Sequence, residues 1–142
     1  VIKDGWLYTG DIGEIDPRDG YLKITDRKKD IIVSAGGDNI SPAKIENQLS
    51  NSPAIDQCLV YGEGKKYLVV LIVPSKEFKE QKEKIKEIIN EINKNLTLVE
   101  KIKKFHLINE SFSIENGLLT PTMKVKRNKV TLKYKQELEK LY

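Results

Sequence analysis

The spacing of apolar side chains changes character twice along this chain of 142 residues, and the order of those changes restricts the fold more than any other feature. Residues 1 to about 28 are rich in Gly, Asp and Tyr. Gly5 to Ile15 reads as a short strand interrupted by glycines. Asp16-Pro17-Arg18-Asp19-Gly20 reads as a turn, because Pro fixes φ and Gly accepts a positive one. Tyr21 to Thr25 alternates and is expected to return as the second strand of a hairpin. The next stretch holds a short β-branched strand, Ile31-Ile32-Val33, and then two more strands, Ile55 to Tyr61 and Tyr67 to Val73. Ser34 to Asn39 forms a loop between them. Ser41-Pro42 opens a helix, with the serine as N-cap and the proline at the first helical position. Gly62 to Lys66 joins the last two strands as a hairpin loop.

Beyond Ser75 the period becomes helical. Phe78, Ile85, Ile88, Ile89, Ile92 and Leu96 share one face of a helix expected to run from Ser75 to about Leu96. Glu80 and Lys84 have the i,i+4 spacing of a favourable pair on it. A shorter helix is expected around Val99 to Phe105, then a strand at His106-Leu107-Ile108 and a long loop through Gly117. Val130, Tyr134, Leu138 and Leu141 mark a terminal helix. Strands and helices mix without regular β-α-β alternation, so the expected class is α+β: a small mixed sheet flanked by helices and preceded by a β-hairpin.

Composition removes several chemistries. One cysteine, Cys58, permits no internal disulfide and reads as buried packing. It points to a reducing, cytoplasmic setting. One histidine, His106, and one cysteine cannot build a structural zinc site, and nothing near His106 suggests a nucleophile. No stretch approaches the roughly 20 apolar residues of a membrane span, and no charged-then-apolar leader is visible. The chain opens on Val1 rather than Met, so the expectation is an excised piece of a longer protein. Its 25 Lys and Arg against 21 Asp and Glu give a net charge of +4, which suits a solvated lysine-rich surface or a phosphorylated small molecule.

Four segments carry candidate chemistry. Asp11 follows Tyr8-Thr9-Gly10, where its carboxylate can accept two hydrogen bonds from vicinal hydroxyls or simply cap a turn. Asp26-Arg27-Lys28-Lys29-Asp30 sets three cations between carboxylates, and an arginine grips phosphate or hydroxyl oxygens bidentately. Ala35-Gly36-Gly37 is a loop whose amides can approach a ligand closely. Thr120-Pro121-Thr122-Met123-Lys124 places an ammonium on a Pro-punctuated loop, suited to neutralising charge on a reacting phosphate. Lys126 is the alternative lysine there. Each alone is more often an ordinary surface turn.

Taken in order, Tyr8-Thr9-Gly10-Asp11, Asp26-Arg27-Lys28-Lys29-Asp30, Gly36-Gly37-Asp38-Asn39-Ile40-Ser41-Pro42-Ala43-Lys44-Ile45-Glu46 and Thr120-Pro121-Thr122-Met123-Lys124-Val125-Lys126-Arg127 closely resemble the C-terminal region of the adenylate-forming superfamily. The resemblance covers essentially the whole chain. The Gly-Gly-acidic-Asn-Ile-x-Pro form is similar to the CoA ligases, and Leu-Thr-Pro-Thr-Met-Lys to their long-chain fatty acid branch. The resemblance implies that residues 1–28 finish a larger N-terminal adenylation domain and that 29–142 form a C-terminal lid. It implies that Asp11 binds the ribose of ATP, that Arg27 also contacts the nucleotide, and that Lys29 is the hinge. Ala35, Gly36 and Gly37 would line the pantetheine tunnel of CoA, and Lys124 would be the catalytic lysine. Many relatives carry Ser-Gly-Lys where this chain has Thr122-Met123-Lys124, which keeps Lys126 in view.

The implied reaction joins a carboxylate to ATP as acyl-AMP and then transfers the acyl group to CoA. ATP, Mg2+ and CoA belong to the full-length enzyme, with none expected on this piece alone, and no metal is assigned to its residues. The implied partners are the N-terminal domain of the same chain and the fatty acid, with peripheral membrane contact allowed for the full-length enzyme. The resemblance puts Lys124 and the glycine loop on different faces of the lid. Other readings are the lid of another adenylate-forming enzyme, a membrane-surface element around Ile85 to Ile92, or a lysine-rich module for RNA or an acidic partner. Against RNA, aromatics are 7% and do not cluster with lysines, so no nucleic acid is expected.

Overall fold

The computed structural model describes residues 2–27 and 30–142. A first ribbon pairs β1 (Ile2–Lys3) with β2 (Trp6–Leu7). Asp4 and Gly5 turn it with positive φ, 51° and 81°, as a tight hairpin requires. The strand expected from Gly5 to Ile15 is therefore two pieces. It stops at Leu7, and the chain passes Gly10, at φ 79°, before β3 begins at Asp11. Then β3 (Asp11–Ile15) pairs antiparallel with β4 (Leu22–Arg27). The Asp16–Gly20 turn closes as expected, the Gly20 amide donating to the Asp16 carbonyl at 2.8 Å. The first ribbon shows Trp6 to solvent, and the hairpin shows Tyr21 and Leu22.

A second ribbon, β5 (Ile32–Val33) with β6 (Asn39–Ile40), carries the glycine loop at its tip. It leads into α1 (Pro42–Ser50), where Ser41 Oγ accepts from the Lys44 amide at 3.4 Å and Pro42 stands in the first turn. The serine satisfies an orphan amide and the proline wastes none.

The main sheet has the order β7-β8-β9, with β7 (Ile55–Tyr61), β8 (Leu68–Pro74) and β9 (Ile102–Leu107). Strands β7 and β8 form the expected hairpin; β8 and β9 run parallel. A parallel pair requires a crossover, and the chain makes it through α2 (Lys82–Asn93). Central strand β8 is buried at every residue, as a strand covered on both faces must be. The sheet is small and mixed, and the class is α+β, as expected.

Three expectations need correction. The segment expected to be helical at Val99 to Phe105 is mostly β9. Val99, Ile102 and Phe105 have helical spacing, but the open edge of β8 captures the segment, and tertiary pairing overrides local pattern. Asn93 pins its start, since its side-chain amide donates to the Ile102 carbonyl and accepts from the Ile102 amide, both at 2.9 Å. The helix expected from Ser75 to Leu96 is broken. Lys76–Phe78 is a 3-10 turn, and Gln81, with φ −106° and ψ 56°, interrupts the path before α2. Glu80 thus lies outside the helix that holds Lys84. The apolar face itself is correct: Ile85, Ile89 and Leu96 are core, with Phe78, Ile88 and Ile92 against them. The terminal helix is likewise two, α3 (Arg127–Lys133) and α4 (Lys135–Glu139), parted at Tyr134 (φ −105°, ψ 20°).

Each face of the sheet has its own core. One joins Cys58, Val60, Val70, Ile72 and Ile102 to Ile32, Ile40, α1 and α2. The other joins Leu59, Val69, Leu71 and Val73 to Phe112, Leu118, Leu119, α3 and α4. Glu100 is the one buried charged residue among those described. It accepts from the Thr97 amide (3.2 Å), the Thr97 hydroxyl (2.9 Å) and Lys44 Nζ (3.1 Å). Burial alone would raise the Glu100 carboxyl, but the Thr97 donors and then Lys44 outweigh it and hold the pKa below the ordinary 4.5. A lowered folded pKa gives stability that is complete above pH 4.5 and lost as pH falls through the folded value. Glu100→Gln is expected to flatten the acid limb of a urea-stability profile below pH 4.5, relative to wild type; parallel limbs would contradict it.

Candidate functional site

The hairpin brings two of the sequence-assigned residues side by side. Asp11 opens β3 and Arg27 closes β4, in direct cross-strand register. Arg27 Nε lies 3.6 Å from Asp11 Oδ1. The Asp11 amide donates to Thr9 Oγ1 at 3.2 Å, fixing the strand start. The two side chains are 35% and 58% exposed, so both meet solvent at an accessible hairpin end. A ligand with vicinal hydroxyls beside an anionic group meets complementary chemistry there.

The glycine loop is held from both sides. Within it, the Ser34 amide donates to the Asp38 carbonyl (2.9 Å), the Gly37 amide to the Ser34 carbonyl (3.0 Å), and the Asp38 amide to Ser34 Oγ (3.1 Å). Gly37 sits at φ 85°, which disfavours any side chain there. From outside, the 62–66 hairpin loop docks on it. The Ala35 amide donates to the Lys65 carbonyl (3.0 Å), the Gly64 amide to the Val33 carbonyl (2.8 Å), and the Val33 amide to Glu63 Oε2 (3.0 Å). Ala35, Gly36 and Gly37 remain exposed at the tip.

Lys124 ends a tight turn. The Thr120 amide donates to the Lys124 carbonyl at 2.7 Å, the Met123 amide to the Thr120 carbonyl at 2.8 Å, and the Lys124 amide to Thr120 Oγ1 at 3.1 Å. Leu119 pairs with Val125 across the turn. Met123 takes φ 66°, a conformation that glycine adopts freely and a methionine only at a cost. Lys124 is exposed, and none of the ion pairs among the described residues involves it. Lys126 is half-buried, and its amide is spent on the Leu118 carbonyl at 2.8 Å. The backbone is thus anchored while the Lys124 stem is free to move.

The two sites belong to opposite faces. Ile32 and Ile40, flanking the glycine loop, pack into one core; Leu118, Leu119 and Val125, flanking the Lys124 turn, pack into the other. One contact crosses between them. Arg127, three residues after Lys124, forms a two-pronged pair with Glu46 of α1, with NH1 to Oε2 at 3.0 Å and NH2 on Oε1. Glu46 Oε2 also accepts from the Val60 amide at 3.2 Å. Both residues stand inside the motifs read from sequence, yet neither was singled out. An ion pair spanning 81 positions has no local signature. Arg127 also borders a cleft of about 260 Å³ with Ile32, Val60, Gly62 and Thr131.

Lys29, the expected hinge, lies outside the described residues. Cys58 is buried, and its thiol is pushed up to about 12 by burial and then by the Glu46 charge, so it is no nucleophile at neutral pH. Among the described residues no group of three or more His, Cys, Asp or Glu could hold a metal ion, and no helix is long and apolar enough to cross a membrane.

Comparison with known proteins finds similarity over nearly the whole chain. A family model described as the AMP-binding enzyme C-terminal domain matches residues 29–142. The long-chain-fatty-acid–CoA ligase FadD15 of Mycobacterium tuberculosis is 38% identical over 98% of this chain and 27% of its own length. The adenylation domain of a carboxylate reductase from Mycobacterium chelonae superposes with a TM-score of 0.89 at 31% identity, over 99% of this chain and 24% of that one. The corresponding domain from Segniliparus rugosus, in complex with AMP and a carboxylic acid, gives 0.88 at 29% identity, over 99% and 24%. The chain spans about a quarter of the length of the curated relatives it matches.

Proposed function

Since the chain belongs to the family of AMP-binding enzyme C-terminal domains, we propose that it is the moving lid of an ATP-dependent acid–CoA ligase whose substrate is a long-chain fatty acid. Residues 1–28 finish the larger domain, residues 29–142 form the lid, and Lys29 is the pivot. In the first half-reaction a carboxylate oxygen attacks the α-phosphorus of ATP. The bond to pyrophosphate breaks and acyl-AMP forms. Asp11 accepts the ribose hydroxyls, Arg27 meets the nucleotide beside it, and Lys124 stabilises charge gathering on the phosphate and attacking oxygens. Mg2+ would travel with the nucleotide and is assigned to no residue of this chain. In the second half-reaction the CoA thiol attacks the acyl carbonyl, loses its proton and displaces AMP. Ala35, Gly36 and Gly37 then line the path of the pantetheine arm.

The observation that carries this reading is the separation of the Lys124 turn and the glycine loop onto opposite faces of one sheet. A lid cannot offer both faces to one site at once, so the half-reactions take turns through hinge rotation. Full-length protein given ATP, a long-chain fatty acid and CoA is expected to release AMP and pyrophosphate and to yield the thioester. The high TM-score to carboxylate reductase adenylation domains favours a second reading, in which the acyl group passes to an acceptor other than CoA. That reading predicts acyl-AMP, trapped with hydroxylamine, and no thioester. Failure to release pyrophosphate with any fatty acid would remove both.

A further inference from the structure

Residues 139–142 pack against the 62–66 hairpin loop, the same loop that docks on the glycine loop. Tyr142 stacks on Tyr67, with ring centroids 4.8 Å apart and an interplanar angle of 27°. Its hydroxyl donates to the Tyr67 carbonyl at 3.0 Å. Tyr67 returns a bond, its hydroxyl donating to the Leu141 carbonyl at 2.8 Å. Lys65 Nζ lies 4.9 Å from the centre of the Tyr142 ring and 2.9 Å from Glu139 Oε2. Glu139 Oε1 also accepts from the Tyr61 hydroxyl at 3.1 Å. Residues 139–142 therefore grip both ends of the 62–66 hairpin loop, at Tyr61 and Tyr67, and the lysine between them. The carbonyl of that same Lys65 receives the Ala35 amide, and Gly64 beside it donates to Val33.

A hairpin loop that supports a ligand-facing segment needs a support of its own: Gly62 is buried, but Glu63, Gly64 and Lys66 are exposed, and Gly64, at φ 68°, adds backbone freedom at the turn. The ring of Tyr142 covers one side of it, and the Lys65–Glu139 pair ties its middle. The geometry points to Tyr142 and Glu139 as positioning residues for the thioester half-reaction: they hold the 62–66 loop, which in turn sets the Ala35–Gly37 backbone where the pantetheine arm passes. This rests on the lid reading above. It assigns the C-terminal segment to one half-reaction because its hydrogen bonds and ring contacts run to the 62–66 loop and the tyrosines flanking it and, among the described residues, none to the Lys124 turn, although both segments pack against the same core.

The test uses full-length protein and three variants. Tyr142→Ala removes the stack and the hydroxyl. Tyr142→Phe keeps the stack and loses the donor. Gly37→Val alters the glycine loop itself. The expected result for Tyr142→Ala is a rise of about tenfold in KM for CoA, of the order that a displaced positioning contact gives. Acyl-AMP formation, followed by pyrophosphate release without CoA, should stay within twofold of wild type. Tyr142→Phe should fall between the two in KM for CoA. Gly37→Val should raise that KM at least as much as Tyr142→Ala. Should Gly37→Val impair CoA use while Tyr142→Ala leaves it unchanged, or slows both half-reactions alike, the positioning role is overturned and the lid reading stands. Should Gly37→Val leave CoA use untouched, the glycine-loop assignment falls and takes the positioning role with it.

Discussion

Lys124→Ala in the full-length protein is expected to slow acyl-AMP formation by about 10²–10³-fold, the loss seen when one preorganised donor to a developing anion is removed. Thioester formation from supplied acyl-adenylate should continue near its normal rate, because the glycine loop on the opposite face is left intact. The geometry explains why this lysine, rather than a neighbour, is the one expected to matter. Its backbone is fixed by Thr120, which accepts the Lys124 amide on its hydroxyl and donates its own amide to the Lys124 carbonyl. Its side chain is exposed and takes part in none of the ion pairs among the described residues. An ammonium on a fixed base with a free stem can reach a phosphate without first breaking a competing pair. Met123 favours the same register. It holds φ 66° immediately before Lys124, a conformation that the glycine of a Ser-Gly-Lys triplet would adopt freely. Lys126, half-buried at the entrance to α3, should tolerate alanine within a few-fold. Pyrophosphate release at wild-type speed from a Lys124→Ala, Lys126→Ala double variant would end the assignment.

Local chemistry is where the sequence was most legible. The Ser41-Pro42 start of α1, the Asp16–Gly20 turn and the bounds of β7 rest on short-range signals, namely a cap, a ring-fixed φ and an apolar segment that ends at the Gly62–Lys66 loop. These survive folding because they cost nothing elsewhere. The elements misread are those decided at a distance. Ile102 to Leu107 carries two lysines and a helix-like apolar spacing, and only the free edge of β8 turns it into a strand. Gln81 and Tyr134 interrupt helices without being glycine or proline, so no local breaker announces them. For the candidate site, the motif order singled out Asp11, Arg27, the glycine loop and Lys124 as candidates. The structure adds the register that sets Asp11 against Arg27. It also adds the supports: Thr120 under Lys124, the 62–66 loop under Ala35, and Glu46 under Arg127. Supports of this kind join residues tens of positions apart, and a single sequence gives them no periodicity.

Breaking the Glu46–Arg127 pair is expected to lower the free energy of unfolding by about 2–3 kcal/mol. Removing one partner of a fully buried pair costs roughly 3–5 kcal/mol, and the side chains here retain 12% and 26% of their exposure, so solvent screening brings the cost somewhat below that range. Glu46→Ala should be the more costly of the two. It removes both contacts of the Arg127 guanidinium with that carboxylate and also deprives the Val60 amide of its acceptor, a further loss on the order of 1 kcal/mol for an unmet buried donor. Arg127→Lys should recover little, because an ammonium cannot reproduce the two-pronged contact. The double alanine variant should cost less than the sum of the singles, since the contact between the two is already lost with the first deletion. Urea unfolding of the four proteins measures this directly, and strictly additive costs would mean that the pair does not couple the segments. The functional consequence follows from where the pair sits. It fastens the start of α3, just past Lys124, to α1, just past the glycine loop. A lid that presents two faces in succession must turn as one rigid body. With this fastening cut, each half-reaction should slow by a similar few-fold factor, unlike the one-sided losses expected at Lys124 and Tyr142.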